Sequence, residues 1–202
     1  MKAVKRGVLV LVLAAALLAA WNARTVVGLA QPALVRLVPQ AAAQSVGDGS
    51  VISFPRLGIE APVWQTPGRS PLSLADWGPI EQDLKRGVNL SYDGASFKDA
   101  SFAYLTGHSS DTYPHKYSGI FAALGQAHAG DTFSLTVDGQ AHAYQVVATQ
   151  VLDPTNTQAF AALSGSAGGA KRLALVTCWP VLTSAKRLVV TAVEVSTGAL
   201  VP

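Results

Sequence analysis

A single cysteine, Cys178, in 202 residues excludes an internal disulfide. In an exported chain a leftover cysteine pairs with another molecule or is a free reactive thiol. In an ordinary core it is an inert buried side chain, and the count alone favours that reading. No CxxC or HExxH spacing occurs, so no ligand set for zinc is visible. Charge is scarce too. Only 13% of residues are charged, and Lys and Arg form no run interleaved with aromatics, which removes nucleic acid as a partner. The chain has no internal repeat. What it has in excess is apolar sequence, 50% of all residues, part of it Ala and part of it one N-terminal run.

That run is Val8–Trp21, uninterrupted and preceded by Lys2, Lys5 and Arg6. A basic segment followed by an apolar core is an export signal. Its length falls short of the ~20 residues of a typical spanning helix. A cleaved signal peptide and an uncleaved anchor both fit. The preferred reading is an anchor over 8–38, after a basic region at 1–7, with the positive charge keeping the N-terminus inside and the bulk of the chain outside. Residues 39–50 are small and polar and read as a linker, leaving 51–202 as one folded domain.

Within 51–202 the expected strands are Val51–Phe54, Arg56–Ile59, Ala61–Trp64, Phe102–Thr106, Thr132–Val137, His142–Val151, Arg172–Thr177 and Leu188–Val195. Asp138-Gly139 signals a hairpin between two of them. Expected helices are short: Glu81–Arg86, Gly119–Ala127 and Thr157–Leu163. Ser164–Gly169 reads as a flexible loop. Many short strands between Gly, Pro and Asp turns make the fold mainly β, a sandwich or a barrel.

Three chemistry-bearing residues fall at strand ends, where a buried strand opens onto a loop. Cys178 ends ALVTC, Arg187 opens RLVVTAVEV, and His108 ends FAYLTGH. Eight residues, Trp179–Lys186, separate the Cys from the Arg, which places both at one end of the sheet if their strands are neighbours. A thiol needs help to ionise near neutral pH, and an imidazolium supplies it. A guanidinium can hold a developing oxyanion. The set suffices for thioester chemistry. Three other histidines compete for the partner role: His142 on a strand beside Tyr144, His128 in a turn, and His115 in a polar loop. Structural or solvated roles suit the first two better, and His115 is the weaker rival.

LVTC with Arg nine residues after the Cys, in TCWPVLTSAKRLVVTAVEV, resembles the Cys-to-Arg segment of the sortase family, and TGHSS resembles its catalytic-His segment. ISFPRLGIEAPVW, LKRGVNLSYDG and IFAALGQAHAGDTFSLTVDGQAHAYQVV resemble other family segments, in family order, over roughly Val51–Val195. The resemblance implies a closed eight-stranded β-barrel with short helices behind an N-terminal membrane-anchor helix. It implies a cysteine transpeptidase that cuts an LPXTG-like C-terminal sorting signal between Thr and Gly, through a thioester on Cys178. His108 would carry the leaving amine's proton, Arg187 would face the carbonyl, and Thr177 would line the signal groove. Expected partners are surface or pilin-like proteins bearing such signals, an amine acceptor (cell-wall precursor or pilin Lys) and the membrane, with the catalytic domain extracytoplasmic on a single-pass anchor. The short Cys-to-Arg loop resembles class D- or E-like members, and with no obvious acidic cluster it argues against a calcium-dependent subtype; no cofactor is expected. Two features depart from the family: Ala174 stands where Thr is common, and SSDTYPHKYSGI lacks the His-Arg-Asp continuation.

Two alternatives use the same residues differently. A cysteine hydrolase would release peptide to water. A membrane-tethered, non-catalytic β-barrel binding module would bury Cys178 as an inert thiol far from His108.

Overall fold

The computed structural model describes residues 49–72, 77–165 and 170–196. The anchor and most of the linker expected over 8–50, and most of the Ser164–Gly169 loop, lie outside these residues. Among the described residues no helix is long and apolar enough to cross a membrane.

Eight strands close into a barrel: β1 (Val51–Phe54), β2 (Ile59–Pro67), β3 (Val88–Tyr92), β4 (Phe102–Thr106), β5 (Thr132–Val137), β6 (Gln140–Leu152), β7 (Arg172–Trp179) and β8 (Lys186–Val195). Their order around the barrel is β1-β2-β3-β4-β7-β8-β6-β5, with β5 pairing back onto β1. The β2–β3 and β4–β7 pairs are parallel and the rest antiparallel. A parallel pair needs a crossover. Helix α1 (Trp77–Leu84) lies in the first, and β5, β6 and helix α2 (Thr157–Leu163) lie in the second. Asn156 caps α2, its side chain accepting the Ala159 N–H at 3.0 Å. Asp138 and Gly139 both have positive φ, 50° and 75°, as a tight β5–β6 hairpin requires.

Strand alternation sorts the apolar side chains into two clusters. The barrel interior holds Leu105, Leu173, Leu175, Leu188 and Val190, with Phe54, Phe133 and Tyr144 stacked at 5.1 and 5.5 Å. The outer wall of β4, β7 and β8 holds Ala174, Val176 and Val189, covered by Phe160 and Leu163 of α2. Ala174 is fully buried there. A threonine at that position would carry its hydroxyl into this apolar layer.

Several expectations change. The helix expected over Glu81–Arg86 spans Trp77–Leu84. Pro55–Leu57 is a single 3-10 turn rather than part of a strand, and Gly58 ends it at φ 64°. The strand resumes at Ile59 and runs to Pro67, longer than Ala61–Trp64. Gly119–Ala127 is a chain of tight turns with a 3-10 helix only at Leu124–Gln126. Its bonds are of i→i−3 type, and Phe121 N–H donates instead to the His108 carbonyl at 2.8 Å. That bond ties the turns to the site.

Candidate active site

The parallel β4–β7 register pairs Thr106 with Val176. Two residues further along each chain lie His108 and Cys178, and Gly107 N–H still donates to the Val176 carbonyl at 3.1 Å. On the other side of β7, Arg187 is the Cα partner of Cys178 in the antiparallel β7–β8 pair. His108, Cys178 and Arg187 therefore form a row across three neighbouring chain segments at one end of the barrel. By alternation Cys178 and Arg187 share the outer face with Ala174, Val176 and Val189. All three residues line one cavity of about 200 Å³. Leu72, Trp77, Leu84 and Val176 make much of its apolar wall.

Thr177 also lines this cavity, but it is almost wholly buried, and its hydroxyl donates to the Gly107 carbonyl at 2.7 Å. The bond fixes the joint from which His108 projects. Gly107 leaves no free space for a side chain, because a Cβ would lie 2.7 Å from the Phe121 ring and something would have to shift.

Arg187 is half-buried, and its Nη1 donates to the carbonyls of Ser184 and Lys186 at 3.0 and 3.1 Å. A guanidinium has five N–H donors. Two anchor it to the β7–β8 turn, and among the described residues no hydrogen bond engages the other three. The turn is also tied across the cavity: Leu182, at φ 72°, donates its N–H to Ser110 Oγ at 3.0 Å.

Burial pushes the Cys178 thiol above its ordinary pKa; Arg187 opposes this and Glu81 adds to it. Burial pushes His108 below its ordinary value; Asp111 opposes this, while His115 and Lys85 add to it. Both shifts favour the neutral thiol–imidazole pair over the ion pair. The thiol is neither fully buried nor remote from His108, unlike the inert thiol of a non-catalytic module.

Of the rival histidines, His142 Nδ1 lies 2.6 Å from Glu194 Oε1, its ring edge-on to Phe97 at 5.2 Å. His128 belongs to a surface cluster with Arg56 and Asp131. His115 does reach the site, its ring centroid 5.5 Å from that of His108. Asp111 lies between them, its Oδ2 3.1 Å from His115 Nε2 and 3.6 Å from His108 Nε2. Nothing in the spacing of a loop announces such a meeting. The three bring one ligand-type atom each within 4.8 Å of one another. The donor set does not suit a metal ion, however. His115 Nδ1 accepts the Tyr117 N–H at 3.2 Å, so its Nε2 carries the proton, which points at Asp111 in place of a free lone pair.

A family model described as "Sortase domain" matches residues 52–195. Among solved structures the chain is similar to sortase C-1 from Actinomyces oris, at 22% identity over 73% of this chain and 74% of that one, TM-score 0.54. It is similar to a lid mutant of sortase A from Corynebacterium diphtheriae, at 21% over 82% and 76%, TM-score 0.54. It is also similar to the Pilus Island 1 sortase C2 of Group B Streptococcus, at 22% over 73% of each chain, TM-score 0.54. No curated protein sequence matches it. The match over nearly all of the barrel places the chain in the sortase family of cysteine transpeptidases.

Proposed function

We propose that this transpeptidase cleaves an LPXTG-like C-terminal sorting signal between Thr and Gly and passes the acyl group to an amine. The observation that carries the reading is the row of His108, Cys178 and Arg187 on one cavity wall. The Cys178 thiolate attacks the threonyl carbonyl carbon, and the carbonyl π electrons move to oxygen. The three uncommitted Arg187 donors meet that oxyanion, the kind of stabilisation that usually dominates acyl transfer. As the intermediate collapses, His108 gives its proton to the departing glycyl nitrogen, leaving a thioester. An acceptor amine then attacks the thioester, His108 takes up its proton, and the thiolate leaves. Thr177 serves this chemistry from behind, by holding the Gly107–His108 joint through its hydroxyl.

The client is a surface or pilin-like protein, and the acceptor is a cell-wall precursor or a pilin lysine. A pilus-island enzyme among the structural neighbours supports this client class. The short Cys-to-Arg spacing supports a class D- or E-like member. The basic residues Lys2, Lys5 and Arg6 ahead of Val8–Trp21 support a single-pass anchor with the barrel outside the cell. Protease added to intact cells should reach the chain beyond residue 45; protection there, in cells whose other surface proteins are cut, would overturn the topology.

An LPXTG-type reporter peptide, incubated with and without an added amine, tests the reaction. The expected result is a peptide–amine conjugate only when the amine is present. Equal release to water in both arms would favour a hydrolase, and no cleavage in either would overturn the substrate class.

A further inference from the structure

Beside His108 lies an arrangement that the transfer reaction does not by itself require. Asp111 is fixed at both oxygens: Oδ1 accepts the Tyr113 N–H at 3.0 Å, and Oδ2 accepts His115 Nε2–H at 3.1 Å. His115 is fixed in turn. Its backbone N–H donates to Ser118 Oγ at 2.5 Å, and its Nδ1 accepts the Tyr117 N–H. The carboxylate so held faces His108 Nε2 across 3.6 Å. That nitrogen is buried and, among the described residues, makes no hydrogen bond. A buried ring nitrogen without a partner is costly, and a preorganised carboxylate under an ångström beyond bonding distance is its natural acceptor.

We propose that Asp111 is the carboxylate that orients His108, accepting its Nε2–H, and that His115 positions Asp111 for that task. The inference rests on His108 as the proton carrier of the transfer reaction. Catalytic hydrogen bonds are often long without substrate and tighten in the complex. Closure to about 2.7–2.9 Å, the usual length of a charge-assisted bond, needs only a small ring movement. The consequence is a defined tautomer. With Nε2–H committed to Asp111, Nδ1 is the nitrogen left to exchange the proton with the leaving and entering amines. Asp111 also opposes every other influence on the imidazolium. From its own loop His115 disfavours charge on His108, as does Lys85 just beyond α1. Among the described residues, Glu81 of α1 and the Cys178–Arg187 pair of β7 and β8 also belong to the charged surroundings.

The full chain carrying Asp111→Asn tests this, with a melting curve for each protein. Peptide cleavage should lose about tenfold to a hundredfold in kcat, below the ~10²–10⁴ typical of a proton-transfer group itself, with KM little changed. The acid limb of the pH–rate profile should move to lower pH. Nitrogen NMR on wild-type protein should find neutral His108 as the Nε2–H tautomer, and in Asp111→Asn that preference should be lost. His115→Ala should cost about twofold to tenfold, the kinetic equivalent of one ordinary hydrogen bond, and His115→Gln, which restores an N–H donor, should recover most of it. A wild-type His108 protonated at Nδ1 instead, or an Asp111→Asn enzyme that loses stability while its acid limb stays in place, would overturn the proposal. The wild-type tautomer and the His115 variants decide the matter even if Asp111→Asn does not fold. Cleavage that survives His108→Ala would instead overturn the proton-carrier assignment, and the tautomer would still show whether Asp111 holds the ring.

Discussion

Cys178 and Arg187 stand directly opposite one another in the β7–β8 pair. Directly opposed residues share a face of the sheet with Cβ atoms about 4.5–5.5 Å apart. This explains why a spacing of nine carries chemistry. The ladder ends at Trp179–Lys186, and Pro180–Ala185 forms the turn. One residue added inside the ladder would flip Cys178 to the interior face, whereas one added within the turn leaves the pairing intact.

Arg187→Lys is expected to fold normally and to lose about 10²–10³ in the rate of thioester formation, the usual cost of an oxyanion donor. An ammonium is a compact charge and cannot reproduce a guanidinium bound to two turn carbonyls with donors to spare. Lys186→Ala is the control. Its ion pair with Asp153, at 2.7 Å, lies at the surface, where solvent screening leaves such pairs little effect. Equal near-wild-type rates in both variants would make Arg187 an ordinary surface charge.

Thr177 separates two roles. Thr177→Val keeps the shape but strands the Gly107 carbonyl, at a cost of about 1–3 kcal/mol for an unsatisfied buried group. Thr177→Ser keeps the hydroxyl and should retain both stability and rate. If the valine variant melts like wild type and cleaves as fast, the hydroxyl does not hold the His108 joint.

Gly107→Ala brings a methyl to 2.7 Å from the Phe121 ring, at the residue preceding His108. Overpacking of this kind costs about 1–3 kcal/mol. The expected outcome is a lower melting temperature together with a drop in kcat larger than any change in KM, because the displaced residue is the proposed proton carrier.

The pH profile follows from the two opposed shifts. His108 is lowered and Cys178 raised, so the thiolate–imidazolium pair is a minority form. Its fraction is flat between the two titrations and falls on either side. The acid limb should lie below the ordinary imidazole value of about 6.5, and the basic limb above the ordinary thiol value of about 8.5. Glu81 raises the thiol's pKa by its negative charge. Glu81→Gln should therefore move the basic limb to lower pH and raise the plateau rate. Movement in the opposite direction would contradict this arrangement of charges.

Much of the barrel is legible in the sequence because most strands alternate or run apolar between turn residues. β4, β5 and β7–β8 lie close to where their side chains predict. β3 is the strand the pattern hides. All five of its residues are buried, and two of them are polar, Asn89 and Ser91. Asn89 is tolerated because its amide donates to Thr66 Oγ1 and to Asp83 Oδ2, at 2.8 and 3.0 Å, partners that only the folded chain supplies. The site divides in the same way. Cys178, Arg187 and His108 show themselves as strand ends, and parallel register turns strand ends into neighbours. Asp111 and His115 do not, since they meet His108 through loop turns fixed by Tyr113, Tyr117 and Ser118.

The central claim is that Cys178 carries the acyl group. Intact-protein mass spectrometry after mixing the enzyme with an LPXTG-type peptide, without amine and quenched in acid, tests it most directly. The expected result is a thioester adduct, with the mass of the peptide up to its threonine, mapped to Cys178, absent from a folded Cys178→Ala variant that also fails to cleave. Cleavage of the same peptide by Cys178→Ala, or an adduct on any other residue, would contradict it.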